Sequence, residues 1–447
     1  MTDAPSRAHR SGPLVIERVL LGAVVVSAAA ALLHLLREGY LPAPYFYDTF
    51  DTFMDWFNPA WWARNGGQYS IWLSVYPPLS FDFLKVFGLG ACYGADPYVG
   101  RDCDWLGRIA ILACYAADVG IVYLCYRTHD RRTAVTRAAA IALGLPMLYT
   151  LERGNLILPC FGLFALGLGK VLRSARGRWL AFAAAVNFKP YVLAALVAPL
   201  LRRRWRWLEG CGLAILAVYL IGYALAGAGT LETLVNDTFA FANEMPNAFL
   251  LAESYYSSSF TPFLQLLANN YPLTAILGSR PVEMLEFTLP LAIHVGQIGV
   301  LLAFAAAALR PGSVPSTRLA ALGMAVVLTS TDPGGYVQLF LLFLVFFERW
   351  SGPAPAIALM AAYALSLSCD LPLTILERGV RDVWLSGRTV SYDLGLTLGQ
   401  FLRPALILVI EYALSAATIM SVLRARAEPL GLAPTMADRG GAKSAAS

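Results

Sequence analysis

The chain alternates between apolar runs and short polar connectors. Twelve apolar segments stand out, near 19–36, 106–126, 138–150, 156–172, 179–188, 191–201, 208–227, 289–309, 319–331, 336–347, 355–369 and 397–423. A simple helix needs about 20 apolar residues to cross a bilayer core of roughly 30 Å. Several segments fall short of that. The two that flank Asn187-Phe188-Lys189-Pro190 read as broken or tilted pieces, because proline ends a helix and biases the residue before it to extended backbone. The pattern predicts an all-α polytopic integral membrane protein with about 12 transmembrane helices. The run at 19–33 is followed by no small-residue cleavage site and soluble domain, so it reads as a retained first span.

Composition points the same way. Of 447 residues, 58% are hydrophobic and 14% charged, and the mean hydropathy is +0.59. Soluble domains rarely reach that balance. The net charge of +5 is small, so the placement of the basic residues carries more information than their number. One set of connectors holds Arg7, Arg10 and Arg18, then Arg127 to Arg137, Lys170 to Arg178, Arg202 to Arg206, Arg310 and Arg318, Arg349, and finally Arg424 to Lys443. By the positive-inside rule these connectors and both termini are cytoplasmic. This divides the chain into a tail over 1–18, a membrane domain over 19–423 and a tail over 424–447 expected to be disordered. The opposite, outer face receives three long connectors, 37–105, 228–288 and 370–396, the first expected to carry amphipathic helices. No repeat relates the two halves, which counts against a transporter built of inverted repeats.

Candidate chemistry concentrates on the outer side. Asp48, Asp51 and Asp55 follow the first span at i, i+3 and i+7. A continuous helix would put all three on one face, with Phe50, Phe53, Met54 and Phe57 opposite. Such a stripe is either the solvated face of a surface helix or a source of a general base. Trp56, Trp61, Trp62 and Tyr69 suit a membrane interface and sugar binding equally well. Arg153 and Lys189 are cations on the outer side, against the charge rule, and so require partners. A phosphate satisfies either of them, and so does an ion pair of Arg153 with Glu152 or with an acid of the stripe. Arg280, Arg378, Arg381, Arg388 and Arg403 have weaker claims of the same kind. Asp118 and Glu411 read as packing residues, and His294 is left open. Cys92 and Cys103 bracket a polar loop and are either unrelated thiols or, in an oxidising compartment, a disulfide. There is no phosphate-binding Walker loop, no Cys/His metal cluster and no nucleophile elbow. No metal, cofactor or nucleic-acid partner is expected.

Several short motifs occur in a particular order. An acid follows the first span; then come Gly66-Gly67-Gln68-Tyr69, Tyr76-Pro77-Pro78, Gly154-Asn155, Lys189-Pro190 and the basic cluster Arg202 to Arg206. This order resembles glycosyltransferase family 87, the polyprenyl-phosphate-mannose-dependent mannosyltransferases of GT-C architecture. The motifs cover residues 19 to about 210, and beyond them the likeness rests on hydropathy and loop pattern. The resemblance implies a GT-C fold in a bacterial inner membrane, with the active site on the periplasmic face. It implies an inverting hexosyl transfer, mannose foremost, from a polyprenyl-phosphate donor to a lipid or glycan acceptor. By the family's spacing Asp51 is the first choice of base, then Asp55 and Asp48. Arg153, Lys189 and Arg280 are expected at the donor phosphate, and Trp56, Tyr69, Tyr76 and Asn155 at the substrates. The rival reading is a flippase or transporter of lipid-linked oligosaccharide.

Overall fold

The computed structural model describes residues 12–45, 49–243, 250, 254–269, 273–330, 334–375 and 377–427. It opens on α1 (Gly12–Glu38). Three short helices of the first long connector follow: α2 (Met54–Asn65), α3 (Pro78–Val86) and α4 (Pro97–Cys103). Next come α5 (Trp105–His129), α6 (Ala134–Ala142), α7 (Leu145–Arg153), α8 (Ile157–Leu168) and α9 (Ala175–Val186). A tight turn of helix over Pro190–Leu196 runs into α10 (Val197–Leu201), and α11 (Trp205–Ala226) follows. The second long connector holds α12 (Leu231–Asn243), α13 (Thr261–Ala268) and α14 (Leu273–Leu277). The chain then forms α15 (Ser279–Leu309), α16 (Ser316–Ser330), α17 (Gln338–Val345) and α18 (Pro353–Leu365). Strands β1 (Glu377–Val383) and β2 (Arg388–Leu394) precede the last helix, α19 (Gly399–Ala427).

All twelve apolar segments contain helix, but their lengths differ. Helices α1, α5, α11, α15 and α19 are long and apolar enough to cross a membrane. The pair α6 and α7 makes a sixth candidate, bent by 41° where Gly144 and Pro146 interrupt it. Helices α8, α16 and α18, with the segments around α10 and α17, are shorter. Of these, α17 sits wholly inside the protein, with every side chain from Gln338 to Val345 buried, whereas α18 and the segment around α10 keep an exposed side, with Ile357, Met360, Leu193 and Leu200 on it. Broken helix at membrane depth is tolerated where neighbouring chain, rather than lipid, surrounds its ends.

Among the described residues, buried ion pairs fasten this bundle, two of them between segments far apart in the chain. Arg137 Nη2 of α6 lies 2.6 Å from Glu17 of α1, which also accepts from Trp350 Nε1 at 2.6 Å and from the Tyr363 hydroxyl at 3.1 Å. Arg318 of α16 lies 2.5 Å from Glu348. The charge rule assigns Arg137 and Arg318 to cytoplasmic connectors. Both are buried, and an acid from another part of the chain meets each one.

The all-α expectation fails at one place. Within the third long connector, β1 and β2 form an antiparallel hairpin in which Val380 faces Ser391 and Val383 faces Arg388. The turn uses Gly387 at φ +65°, a backbone state that glycine adopts without strain. The segment has too few apolar residues at helical spacing to bury a helix face, whereas two short strands satisfy each other's backbone.

Candidate active site

The acidic segment does not form one helix. Phe53 sits in the left-handed region at φ +66°, and helix begins only at Met54. A bulky residue there interrupts the helical run, so Asp51 lies on a turn and Asp55 in the first turn of α2. The expected three-acid helical face is therefore replaced by a bend. Phe50 is partly exposed, whereas Met54 and Phe57 are buried as the hydrophobic pattern requires.

A second bend fits against the first. Gly154 ends α7 at φ +62°, and a Cβ there would stand 3.1 Å from Phe53 Cα. Only glycine meets both the backbone and the space requirement. The Phe53 N–H donates to the Glu152 carbonyl at 2.9 Å, and the Thr52 hydroxyl donates to Glu152 Oε1 at 3.2 Å. The two bends place Arg153 between the acids. Its Nη2 lies 2.7 Å from Asp51 Oδ2 and 2.5 Å from Asp55 Oδ1, and its Nη1 donates to the Asp51 carbonyl at 3.0 Å. Asn155 serves two sides: Oδ1 accepts from the Ile157 N–H at 3.0 Å, and Nδ2 donates to Asp55 Oδ2 at 2.7 Å. Both Asp55 oxygens are thus engaged.

Tyr76 and Lys189 adjoin this group. The Tyr69 hydroxyl donates to the Tyr76 carbonyl at 2.9 Å, which holds the Tyr-Pro-Pro bend. The Lys189 ammonium sits 4.1 Å from the centre of the Tyr76 ring, a cation–π contact. Burial, with the Asp55 carboxylate nearby, holds the Tyr76 hydroxyl above its ordinary pKa, and Asn155 lies beside it. Lys189 follows Asn187, whose side-chain N–H groups donate to Ala183 at 2.9 Å and Ile215 at 3.1 Å, tying the end of α9 to α11.

A latch covers the acidic bend from outside. Arg101 is fully buried and donates from Nη1 to the carbonyls of Phe50 at 2.5 Å and Thr52 at 3.2 Å. Its guanidinium lies 4.8 Å from the ring centres of both Phe50 and Trp384. Trp384, on the hairpin, donates from Nε1 to Asp102 at 2.8 Å and packs on Phe53 at 5.4 Å. The Tyr98 hydroxyl reaches Asp51 Oδ1 at 3.4 Å. Cys92 and Cys103 are disulfide-bonded, with Cα atoms 5.5 Å apart, and so close the loop that carries Tyr98 and Arg101. The sequence reading missed Arg101 and Trp384; the available signal was one more arginine on the outer side, inside the cysteine-bracketed loop.

The other expected site residues lie elsewhere. Asp48 is outside the described residues. Trp56 is wholly buried, with Phe83 at 5.6 Å, so its ring is part of the packing under α2. Arg280 is exposed in the first turn of α15 and forms no ion pair among the described residues. Arg403 pairs with Asp370 at 2.9 Å. Asp118 is buried facing Gly162 and Glu411 facing Gly296, while His294 Nδ1 bonds the Pro290 carbonyl of its own helix at 2.6 Å.

Comparison with known families bears on what this cluster belongs to. A model of glycosyltransferase family 87 matches residues 75–331, more than half of the chain. The chain belongs to glycosyltransferase family 87. No curated protein and no solved structure matches it. This family 87 protein is therefore a membrane glycosyltransferase, which takes a sugar donor and an acceptor, and the transporter reading is set aside. The matched stretch includes Tyr76, Arg153, Asn155 and Lys189, and it continues past the last of the short motifs. Asp51 and Asp55 precede it. Their connection to the family 87 region is made by geometry, through Arg153 and Asn155.

Proposed function

We propose that the protein transfers a sugar, mannose foremost, from a polyprenyl-phosphate donor to a lipid or glycan acceptor. The transfer takes place on the outer face of a bacterial inner membrane, within a GT-C arrangement of about 12 membrane segments and cytoplasmic termini. Asp51 accepts the proton of the acceptor hydroxyl as its oxygen bonds to the anomeric carbon. The bond from that carbon to the donor phosphate oxygen breaks, polyprenyl phosphate leaves, and the configuration inverts. Asp55, with both oxygens held by Arg153 and Asn155, positions the arginine that in turn orients Asp51. Among the described residues no carboxylate lies within ion-pair distance of Lys189, which is the cation best placed to meet the charge growing on the leaving phosphate. Arg153 is already neutralised by its two acids and has less to offer there.

The observation that carries this reading is the convergence of Asp51, Asp55, Arg153, Asn155, Tyr76 and Lys189 from four separate chain segments. The test gives the purified protein either polyprenyl-phosphate mannose or a nucleotide-linked mannose, with a bacterial membrane lipid extract as acceptor. Transfer from the lipid-linked donor alone, with inversion at the anomeric carbon, is the expected result. Transfer from the nucleotide sugar, or retention of configuration, contradicts it.

A further inference from the structure

Helix α8 leads away from Asn155 and α9 returns to Lys189, so the connector between them lies at the far end of both helices from the acid cluster. A cavity of about 230 Å³ opens there. Lys170, Arg178, Arg202 and Arg204 line it, and no carboxylate does. Among the described residues none of the four forms an ion pair. Arg178 Nε is buried without a hydrogen-bond partner. Arg202 Nε donates to the Pro311 carbonyl at 3.1 Å, which fixes that side chain at the wall.

Helix ends reinforce the same sign of charge. Arg178 belongs to the first turn of α9, Trp207 to that of α11, and Ser316 and Thr317 open α16, and all four line the cavity. Three helix N-termini therefore converge on it, each turning the positive end of its dipole toward the cavity. Lys170 and Arg204 are exposed and Arg178 and Arg202 half-buried, so four cations and three helix starts with no acid among them form a solvent-accessible site of one sign, which favours an anion.

We propose that this cavity binds a phosphate group. Several forked guanidinium donors suit the oxygens of a phosphate better than those of a single carboxylate. The same chemistry can come from the headgroup of an anionic phospholipid in the adjacent leaflet or from a soluble phosphate ester. Basic pockets between membrane helices suit lipid headgroups in this way. The site lies apart from the acid cluster and takes no part in sugar transfer.

The test uses the full-length protein in nanodiscs and follows its thermal unfolding. One arm replaces a quarter of the phosphatidylcholine with phosphatidylglycerol. The other keeps phosphatidylcholine alone and adds millimolar pyrophosphate, with chloride at matched ionic strength as control. A ligand that binds only the folded state raises the melting temperature by a few degrees. A rise with phosphatidylglycerol alone assigns the site to lipid, and a rise with pyrophosphate assigns it to a soluble phosphate. The double variant Arg178→Gln/Arg204→Gln is expected to lose the rise. Should that variant not fold, Lys170→Gln is expected to reduce the rise, and native mass spectrometry of the wild type to show one retained phosphate-bearing species. No rise in either arm, or a rise that the variants keep in full, overturns the proposal.

Discussion

Among the described residues, two kinds of guanidinium–carboxylate pair with a buried arginine stand apart, and they are built differently. Arg137–Glu17 and Arg318–Glu348 are closed. Their acids are 0% and 4% exposed, one carboxylate meets each cation, and surplus donors and acceptors are taken up by Trp350, Tyr363, Ser421 and backbone carbonyls. The Arg153 group is open. Two carboxylates share one guanidinium nitrogen, and their side chains remain 16% and 19% exposed. A closed pair leaves no group available to a substrate, and its value lies in fixing which helices meet. An open pair with more acid than base keeps negative charge at a surface that an acceptor hydroxyl can reach. The difference separates a structural pair from a candidate catalytic one more reliably than the residue types do.

Substitution can break or sharpen this contrast. At the open pair, Asp51→Asn or Asp55→Asn should lower sugar transfer by about 10²–10⁴-fold, the range for a lost general base or its positioning partner. The melting temperature of either variant should stay close to that of the wild type. At the closed pairs the pattern should reverse. Glu17→Gln or Glu348→Gln should cost about 3–5 kcal/mol of stability, since each strands a buried arginine. Thermal or denaturant unfolding in detergent measures that loss, and molecules that remain folded should transfer at nearly the wild-type rate. Lys189→Gln should lower kcat by roughly 10²–10³-fold, the range for one lost electrostatic donor, with a smaller change in KM. The smallest effect should come from the latch. Trp384→Ala should lower kcat/KM by about tenfold through looser placement of the acidic bend, while Trp384→Phe, which keeps the ring, should recover most of it.

How much of this was legible in the sequence depended on whether the cause was local. Gly154-Asn155, Tyr76-Pro77-Pro78 and Lys189-Pro190 all mark breaks in helices, and such breaks are written in single residues. Their order along the chain was enough to associate them, and the structure brings their side chains to one place. The acidic bend was not legible. Its spacing suited a helix, and only contact with Gly154, some 100 residues away, makes the left-handed Phe53 worthwhile. Arg101 and Trp384 meet across an even longer separation, from two different outer connectors. The hairpin over 377–394 offered only a weak alternating pattern, in a protein where helix is the strong expectation. Hydropathy located every apolar segment but did not tell lipid-facing spans from short helices buried inside the bundle, because both are equally apolar. The partners of Arg137 and Arg318 were not legible either: the charge rule reads position along the chain, whereas the pairing with Glu17 and Glu348 is set by packing.

The central claim is that the open carboxylate pair performs the transfer chemistry, with Asp51 as base. The most direct measurement is the rate of sugar transfer from polyprenyl-phosphate mannose, per folded molecule, for the wild type and Asp51→Asn purified side by side. The account predicts a fall of at least about 100-fold with an unchanged melting temperature. A wild-type rate in Asp51→Asn would contradict it.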